Sequence, residues 1–413
     1  MTDTAKPLRF GFAGWGNRGA GLTAELREAM GTKAVTAACY EPSDEAYNSS
    51  CDRVSAHPDR FTSVEEMLEK AELDGLLITS PNDCHLENLR TVSGRVLPVL
   101  IDKPLESDLE KIADVVRFAQ DYPGPILVGH CMRFAPILTK AKELVDGGAI
   151  GRICSTRFVQ NCYYGNIYYH NWRRERARCG SWMIEKATHD FDIMAWLIDA
   201  SPQKVSAMHR LQAFGGDKPA DLTCPECPEQ TTCPESQLNV KARLGPEMTE
   251  FDRPGMDLCV YSSVVDNPDN YQCLIAWDNG VFGSYAQCFF SSPGYHHRVY
   301  ELQGDAGAME VDLGTTHGRI TVSPRFAGFD SNETFEFDYH GRGHYNSDQP
   351  MLRHFSAVVA NDDVAPEATV RQAFAAEALG YAALLAADEE RFVTVSDVVP
   401  DDLKALIPGS YAE

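Results

Sequence analysis

Short, continuous apolar runs alternate with stretches of helical spacing through the first third of the chain. Leu8–Ala13, Val35–Tyr40, Asp74–Thr79, Val96–Ile101 and Ile126–Gly129 read as buried strands. Between them, Leu22, Leu26 and Met30 recur at helical spacing, and Ser63–Ala71 and Leu109–Ala119 read as helices. Buried strands separated by helices predict a parallel, doubly wound sheet, which binds ligands beyond the carboxyl ends of its strands.

After Ile150-Gly151-Arg152 the pattern changes to alternation. Ile153–Gln160, Lys204–Arg210, Asp257–Val265, Asn270–Trp277, Val281–Phe289, Val299–Gln303 and Arg319–Val322 read as strands, and Asn279-Gly280 as a hairpin turn. Met351–Val359 and Gln372–Ala387 read as late helices. The expected fold class is therefore α/β. A doubly wound domain over residues 1–130 precedes an α+β domain over residues 131–413 with a large, mainly antiparallel open sheet. A Cys- and Pro-rich loop insertion covers residues 212–239.

Composition narrows the partners. The net charge of −23 over 413 residues disfavours nucleic acid and anionic membranes. No apolar stretch is long enough to span a bilayer, and Met1–Pro7 does not read as a leader, so a cytoplasmic protein is expected. The 13 cysteines are dispersed and odd in number, which fits reduced thiols.

The first strand runs into Gly14-Trp15-Gly16-Asn17-Arg18-Gly19, a G-x-G-x-x-G that opens a helix. Strand, glycine turn and helix in this order predict a dinucleotide site, with pyrophosphate at the helix N-terminus. Glu41 lies 22 residues beyond Gly19, at the end of the second strand. A carboxylate there would take both ribose hydroxyls of NAD and repel a 2′-phosphate, so NAD is expected over NADP. Asn82, Lys103 and Arg133 all follow strand ends and would border one crevice.

With these residues in place, the chain resembles the Gfo/Idh/MocA oxidoreductases. Thr79-Ser80-Pro81-Asn82 with His85 is similar to the family's T-P-N-x-x-H, and Asp102-Lys103-Pro104 to its E-K-P. Arg133-Phe134 followed by Gly147–Gly151 resembles the passage into the second domain. Glu185-Lys186-Ala187-Thr188-His189 stands in the place of D-x-x-x-H, and Leu302–Gly307 with Val311-Asp312 resembles a late glycine turn. Asp102 and Glu185 exchange the family's usual carboxylates, and Gly180-Ser181-Trp182 replaces a run of glycines. The resemblance implies a Rossmann-type cofactor domain that binds through Gly14, Gly16, Asn17, Arg18, Gly19, Glu41, Ser80, Asn82, His85, Asp102, Lys103 and Arg133. It also implies catalysis by Lys103, Glu185 and His189, and a homodimer or homotetramer.

The expected activity is hydride transfer between NAD and a secondary hydroxyl of a sugar, inositol or related polyol. Glu185 and His189, four apart, would share a helical face extended by Asp192 and Trp196. A histidine titrates near neutrality and suits the general base, while Lys103 would stabilise developing alkoxide charge. Trp172, Arg173, Trp182 and His344 are candidate substrate contacts; the arginines of residues 173–178 read first as a solvated or subunit-contact loop, and alternatively as donors to an anionic or heavily hydroxylated sugar. The same machinery would serve a glycoside-cleaving enzyme that oxidises transiently, eliminates and re-reduces. A non-catalytic NAD-binding sensor is a further alternative. No metal is expected at the active site. Cys224-Pro225-Glu226-Cys227 with Cys233 has the spacing of a zinc half-site, with His209 or a more distant group as the candidate fourth ligand, and free thiols or a local disulfide are expected there ahead of a metal.

Overall fold

The computed structural model describes residues 6–245, 251, 255–295, 297–339, 343–361 and 363–407. Residues 1–5, part of the stretch read for a leader, lie outside these. The chain divides into two compact units, and the first is discontinuous: residues 1–140 are joined by Tyr339–Glu377 and Val399–Leu406.

The first unit holds a six-stranded, all-parallel sheet. Its strands are β1 (Leu8–Ala13), β2 (Ala34–Tyr40), β3 (Asp59–Phe61), β4 (Gly75–Ile78), β5 (Val99–Ile101) and β6 (Ile126–Val128). Their order is β3-β2-β1-β4-β5-β6. The reversal of winding at β1 places the crevice at the ends of β1 and β4, where the glycine loop lies. Every residue of β4, β5 and β6 is buried, as their unbroken apolar runs require. The returning helix Asp348–Ala360 covers one side, with Phe355 against Phe10 at 5.6 Å between ring centroids.

The second unit holds a nine-stranded sheet. It comprises β7 (Ile153–Asn161), β8 (Pro202–Arg210), β9 (Asn270–Trp277), β10 (Phe282–Cys288), β11 (Arg298–Gly304), β12 (Gly307–Asp312), β13 (His317–Pro324), β14 (Glu333–Asp338) and β15 (Val393–Thr394). The order is β14-β13-β12-β11-β7-β10-β9-β8-β15, antiparallel except for the β7–β10 pair. Gly280 turns the β9–β10 hairpin at φ 83°, as Asn279-Gly280 predicts. Burial alternates along β9 and β10, so one sheet face packs inward and the other is left open.

The segment Asp257–Val265, expected as a strand, is a series of turns. Only two isolated bridges, Thr223–Leu258 and Lys218–Ser262, involve it. The segment lies within the long β8–β9 connection, with Cys259, Val260, Ser262 and Val265 buried, and it does not enter the sheet. The helical face expected through Glu185 and His189 is also interrupted. Trp182–Glu185 and Ala187–Ile198 are separate helices, with Lys186 between them at φ −119°. The His189 N–H consequently bonds the Lys186 carbonyl at 3.3 Å, three residues back.

Candidate functional site

On the first unit, the glycine loop is wedged between β2 and β4. The Gly14 N–H donates to the Tyr40 carbonyl at 2.9 Å, and the Thr79 hydroxyl donates to the Gly14 carbonyl at 2.7 Å. Gly14 has φ 101°, and a Cβ there would meet the Ser80 nitrogen at 2.5 Å. A Cβ on Gly19 would meet the Gly14 oxygen at 2.4 Å. Both glycines are thus required by close approach. Space over Gly16 is open, and no side chain caps the helix Asn17–Met30 that starts there. An uncapped helix N-terminus behind an open glycine is the cradle a pyrophosphate needs. Trp15, between the glycines, turns inward and is fully buried against Phe12.

Glu41 sits beside this loop at the end of β2. Its carboxylate accepts the N–H of Trp15 at 3.1 Å and that of Ser43 at 3.2 Å. Asn17 is engaged from behind by Arg53, whose Nη2 donates to the Asn17 carbonyl at 3.1 Å. Arg18 grips Asp348 through both terminal nitrogens, at 3.0 and 2.9 Å, and reaches Asp102 through Nε at 3.2 Å. This pairing ties the first turn of the loop helix to the strand end that carries Lys103. His344 belongs to the same cluster, with Nδ1 3.1 Å from Asp348. Arg18 and His344 together hold the Asp348 carboxyl below the usual range, although its burial opposes them.

Lys103 is half-buried directly after β5 and precedes a cis proline. The loop around it is set by His85, whose ring nitrogens lie 2.9 Å from the Pro104 carbonyl and 3.0 Å from the Ser80 carbonyl. These two contacts join the loops after β4 and β5, and burial lowers the pKa of His85. Asn82 opens a short 3-10 turn after Pro81, and Asn88 donates to the Ser80 hydroxyl at 2.9 Å. Arg133 is buried and donates to the Glu367 carbonyl at 2.9 Å. Sequence reasoning missed Glu377. This buried carboxyl takes the Leu105 N–H at 2.7 Å and is pushed up to about 8 by burial, against the opposing charge of Lys103.

On the second unit, Glu185 and His189 are both buried. Arg173 Nε lies 3.3 Å from Glu185 Oε1, and its guanidinium stacks over Trp172 at 4.7 Å. The other arginines of the run have separate duties. Arg174 donates to the Cys259 carbonyl at 2.9 Å, and Arg176 pairs with Asp388 at 2.8 Å. Lys186 lies over the ring of Tyr168 at 4.8 Å. Trp182 is fully buried, and its Nε1 donates to the Tyr169 hydroxyl at 2.8 Å. It backs this region with its ring packed against Phe289.

Asp190, the neighbour of His189, proves to be an anchor. It accepts the hydroxyls of Tyr285, at 2.9 Å, and of Tyr300, and forms an ion pair with Arg298, whose Nε lies 3.2 Å away. These partners stand on β10 and β11, so the helix bearing His189 is bolted to the sheet through one carboxylate. Ser181 precedes this region at φ 109°, a conformation that favours glycine. Its hydroxyl lies 3.0 Å from that of Tyr271.

The two halves match the two parts of one family. Residues 8–130 match the NAD-binding Rossmann domain of the Gfo/Idh/MocA oxidoreductases, and residues 142–395 match the C-terminal alpha/beta domain of that family. The chain belongs to the Gfo/Idh/MocA oxidoreductase family and is an NAD-binding oxidoreductase. It is 23% identical to the putative oxidoreductase YteT of Bacillus subtilis over 72% of this chain and 76% of that protein. It is 27% identical to an inositol 2-dehydrogenase of Corynebacterium glutamicum over 47% of this chain and 55% of that protein. Its fold matches that of scyllo-inositol dehydrogenase from Lactobacillus casei, solved with NAD(H) and scyllo-inositol, at a TM-score of 0.69. That match has 16% identity and covers 95% of this chain and all of the other. Among the described residues, no helix is long and apolar enough to cross a membrane.

Proposed function

We propose that this oxidoreductase moves a hydride between NAD and a secondary hydroxyl of a sugar, inositol or related polyol. The observation that carries this reading is the place of Lys103. It follows β5 at the carboxyl edge of the parallel sheet, the same edge from which the glycine loop leaves β1. A cation there can donate to an alcohol oxygen and stabilise the alkoxide as it forms.

The bound nicotinamide ring supplies the hydride chemistry. The open Gly16, the uncapped helix and the Glu41 carboxylate suit its adenosine diphosphate portion, with Gly14, Gly19, Ser80, Asn82, His85, Asp102 and Arg133 shaping the walls. The charge of Glu41 favours the free ribose hydroxyls of NAD over the 2′-phosphate of NADP. His189 takes the hydroxyl proton as general base. Glu185, steadied by Arg173, orients a substrate hydroxyl. Trp172 and Arg173 are half-buried and offer stacking and forked donors to a neutral or anionic sugar. The names of the inositol dehydrogenases among its relatives support the polyol class. The open sheet face exposes Met208, Leu274 and Phe282, and we assign it to contact with another copy of the chain in a homodimer or homotetramer.

A panel of polyols and glycosides assayed with NAD+ tests this reading. Lys103→Ala and His189→Ala are each expected to slow hydride transfer by about 10²–10⁴-fold while NAD binding persists. Wild-type turnover in either variant overturns the assignment. Release of an aglycone without net NADH would identify a redox-assisted glycosidase instead.

A further inference from the structure

Away from these residues, four thiols converge in the β8–β9 connection. Cys224, Cys227, Cys233 and Cys259 all line one small cavity, and all are free thiols. The connection runs from Arg210 to Asn270. Its described residues hold one helix of more than one turn, Gln237–Leu244, and two isolated bridges. Its apolar cluster is small: Val240 and Phe251 join Ile167, with Tyr164, Leu244 and Met256 alongside. Phe214, Val260 and Val265 are buried as well, but a connection this long with so little regular secondary structure among its described residues gains from a cross-link.

The backbone brings the cysteines in from three segments. Cys224-Pro225-Glu226-Cys227 and Cys233-Pro234-Glu235-Ser236 are two copies of one turn. In each, the cysteine carbonyl accepts the N–H three residues on at 3.2 Å. Cys259 arrives on the partner strand of the bridge Thr223–Leu258. The Cys224 N–H bonds the Asp257 carbonyl at 2.7 Å and the Cys259 N–H bonds the Leu222 carbonyl at 2.9 Å. That register places Cys224 and Cys259 on one face of the pair. The His170 ring touches the Leu258 and Glu235 carbonyls, both at 2.8 Å, and so fixes the Cys259 strand against the second turn. Backbone N–H groups of Gln237 and Tyr261 face the sulfurs of Cys224 and Cys259. Lys218 also lines the cavity, and Arg174 holds the Cys259 carbonyl.

We propose that Cys224, Cys227, Cys233 and Cys259 bind a zinc ion as a closed tetrathiolate that staples the β8–β9 connection. Two cysteines at C-x-x-C spacing, a third after five residues and a fourth brought in by the fold make a four-sulfur structural set that leaves no position for a substrate. Soft thiolates select zinc over magnesium or calcium. Binding releases the four thiol protons and leaves a dianionic centre beside Arg174, which holds the Cys259 carbonyl at 2.9 Å, while Lys218 at the same cavity is paired with Glu229 at 2.8 Å. Among the described residues, only Cys131, His344 and Asp348 already hold three ligand atoms within 4.8 Å of one another, and Arg18 occupies that carboxylate. No three of the four sulfurs lie that close to one another, so binding an ion requires these side chains to draw inward.

The full chain, purified without chelator under a phosphine reductant, is expected to carry about one zinc per chain by elemental analysis. Cys227→Ser and Cys259→Ser should lose most of it, and Cys154→Ser should lose none. In the wild-type protein, titration with an organomercurial should release the zinc to a metallochromic dye as these four thiols react. This measurement does not depend on a variant that folds. Cobalt reconstitution should give the visible spectrum of a tetrahedral thiolate site. The proposal is overturned if the reduced protein, supplied with equimolar zinc, retains none after desalting. It is equally overturned if peptide mapping after alkylation at lysis finds these cysteines paired as disulfides.

Discussion

Glu377 Oε1 accepts the backbone N–H of Leu105 at 2.7 Å, two residues beyond Lys103. The helix Val370–Asp388 therefore holds the loop of the proposed catalytic lysine through a fully buried carboxyl. Burial raises the pKa of Glu377 from 4.5 to about 8. The folded protein thus binds this proton more tightly than the unfolded chain does. The resulting stabilisation is complete below about pH 4.5 and is lost as pH rises toward about 8. Glu377→Gln keeps an acceptor for Leu105 and removes the titration. Its Tm, measured against wild type from pH 5 to 9, should gain on wild type as pH rises. A constant difference across that range would refute the shifted carboxyl.

Asp190 carries the heaviest structural load near His189. Asp190→Ala leaves Arg298 buried without its carboxylate and should cost about 3–5 kcal/mol in denaturant unfolding. Tyr300→Phe removes one hydroxyl from the same acceptor and should cost about 1–3 kcal/mol. A loss under 1 kcal/mol in the alanine variant would show that the anchor does not matter.

Ser181 separates backbone strain from hydrogen bonding. Glycine and alanine both delete the hydroxyl that meets Tyr271, but only glycine suits φ 109°. Ser181→Gly should therefore be more stable than Ser181→Ala by about 1–2 kcal/mol. Equal stability of the two variants would mean that the left-handed conformation stores no strain.

Glu41 is expected to set the cofactor choice. Glu41→Gln removes the charge and keeps an acceptor oxygen for one of the two N–H groups, of Trp15 or of Ser43. The ratio of NAD to NADP affinity, read by fluorescence titration, should fall about tenfold or more, corresponding to about 1.4 kcal/mol. An unchanged ratio would place the discrimination elsewhere.

Some of this architecture is legible from local pattern alone. Strand, glycine turn and helix at Leu8–Met30 are read from neighbouring residues, although the close contact that forbids a side chain on Gly14 comes from Ser80, beyond the end of β4. The parallel sheet and the hairpin at Asn279-Gly280 are equally local. Their periodicity and turn chemistry do not depend on distant parts of the chain.

Other features depend on groups far apart in sequence. A regular spacing of four suggests one helix through Glu185 and His189, but packing breaks it at Lys186. Asp257–Val265 imitates a strand, yet it runs as turns within the β8–β9 connection and brings Cys259 to the cavity lined by three other thiols. Nothing local to Asp190, Glu377 or Asp348 marks them as partners of Arg298 and Tyr300, of Leu105, or of Arg18. The sequence by itself determined the two-part α/β plan, the dinucleotide loop and the order of the family's motifs, because short-range sterics and hydrophobic periodicity specify them. Only the tertiary structure decided which carboxylates are buried and paired and where the fourth thiol lies, because burial and pairing energies exist only once distant segments exclude water together.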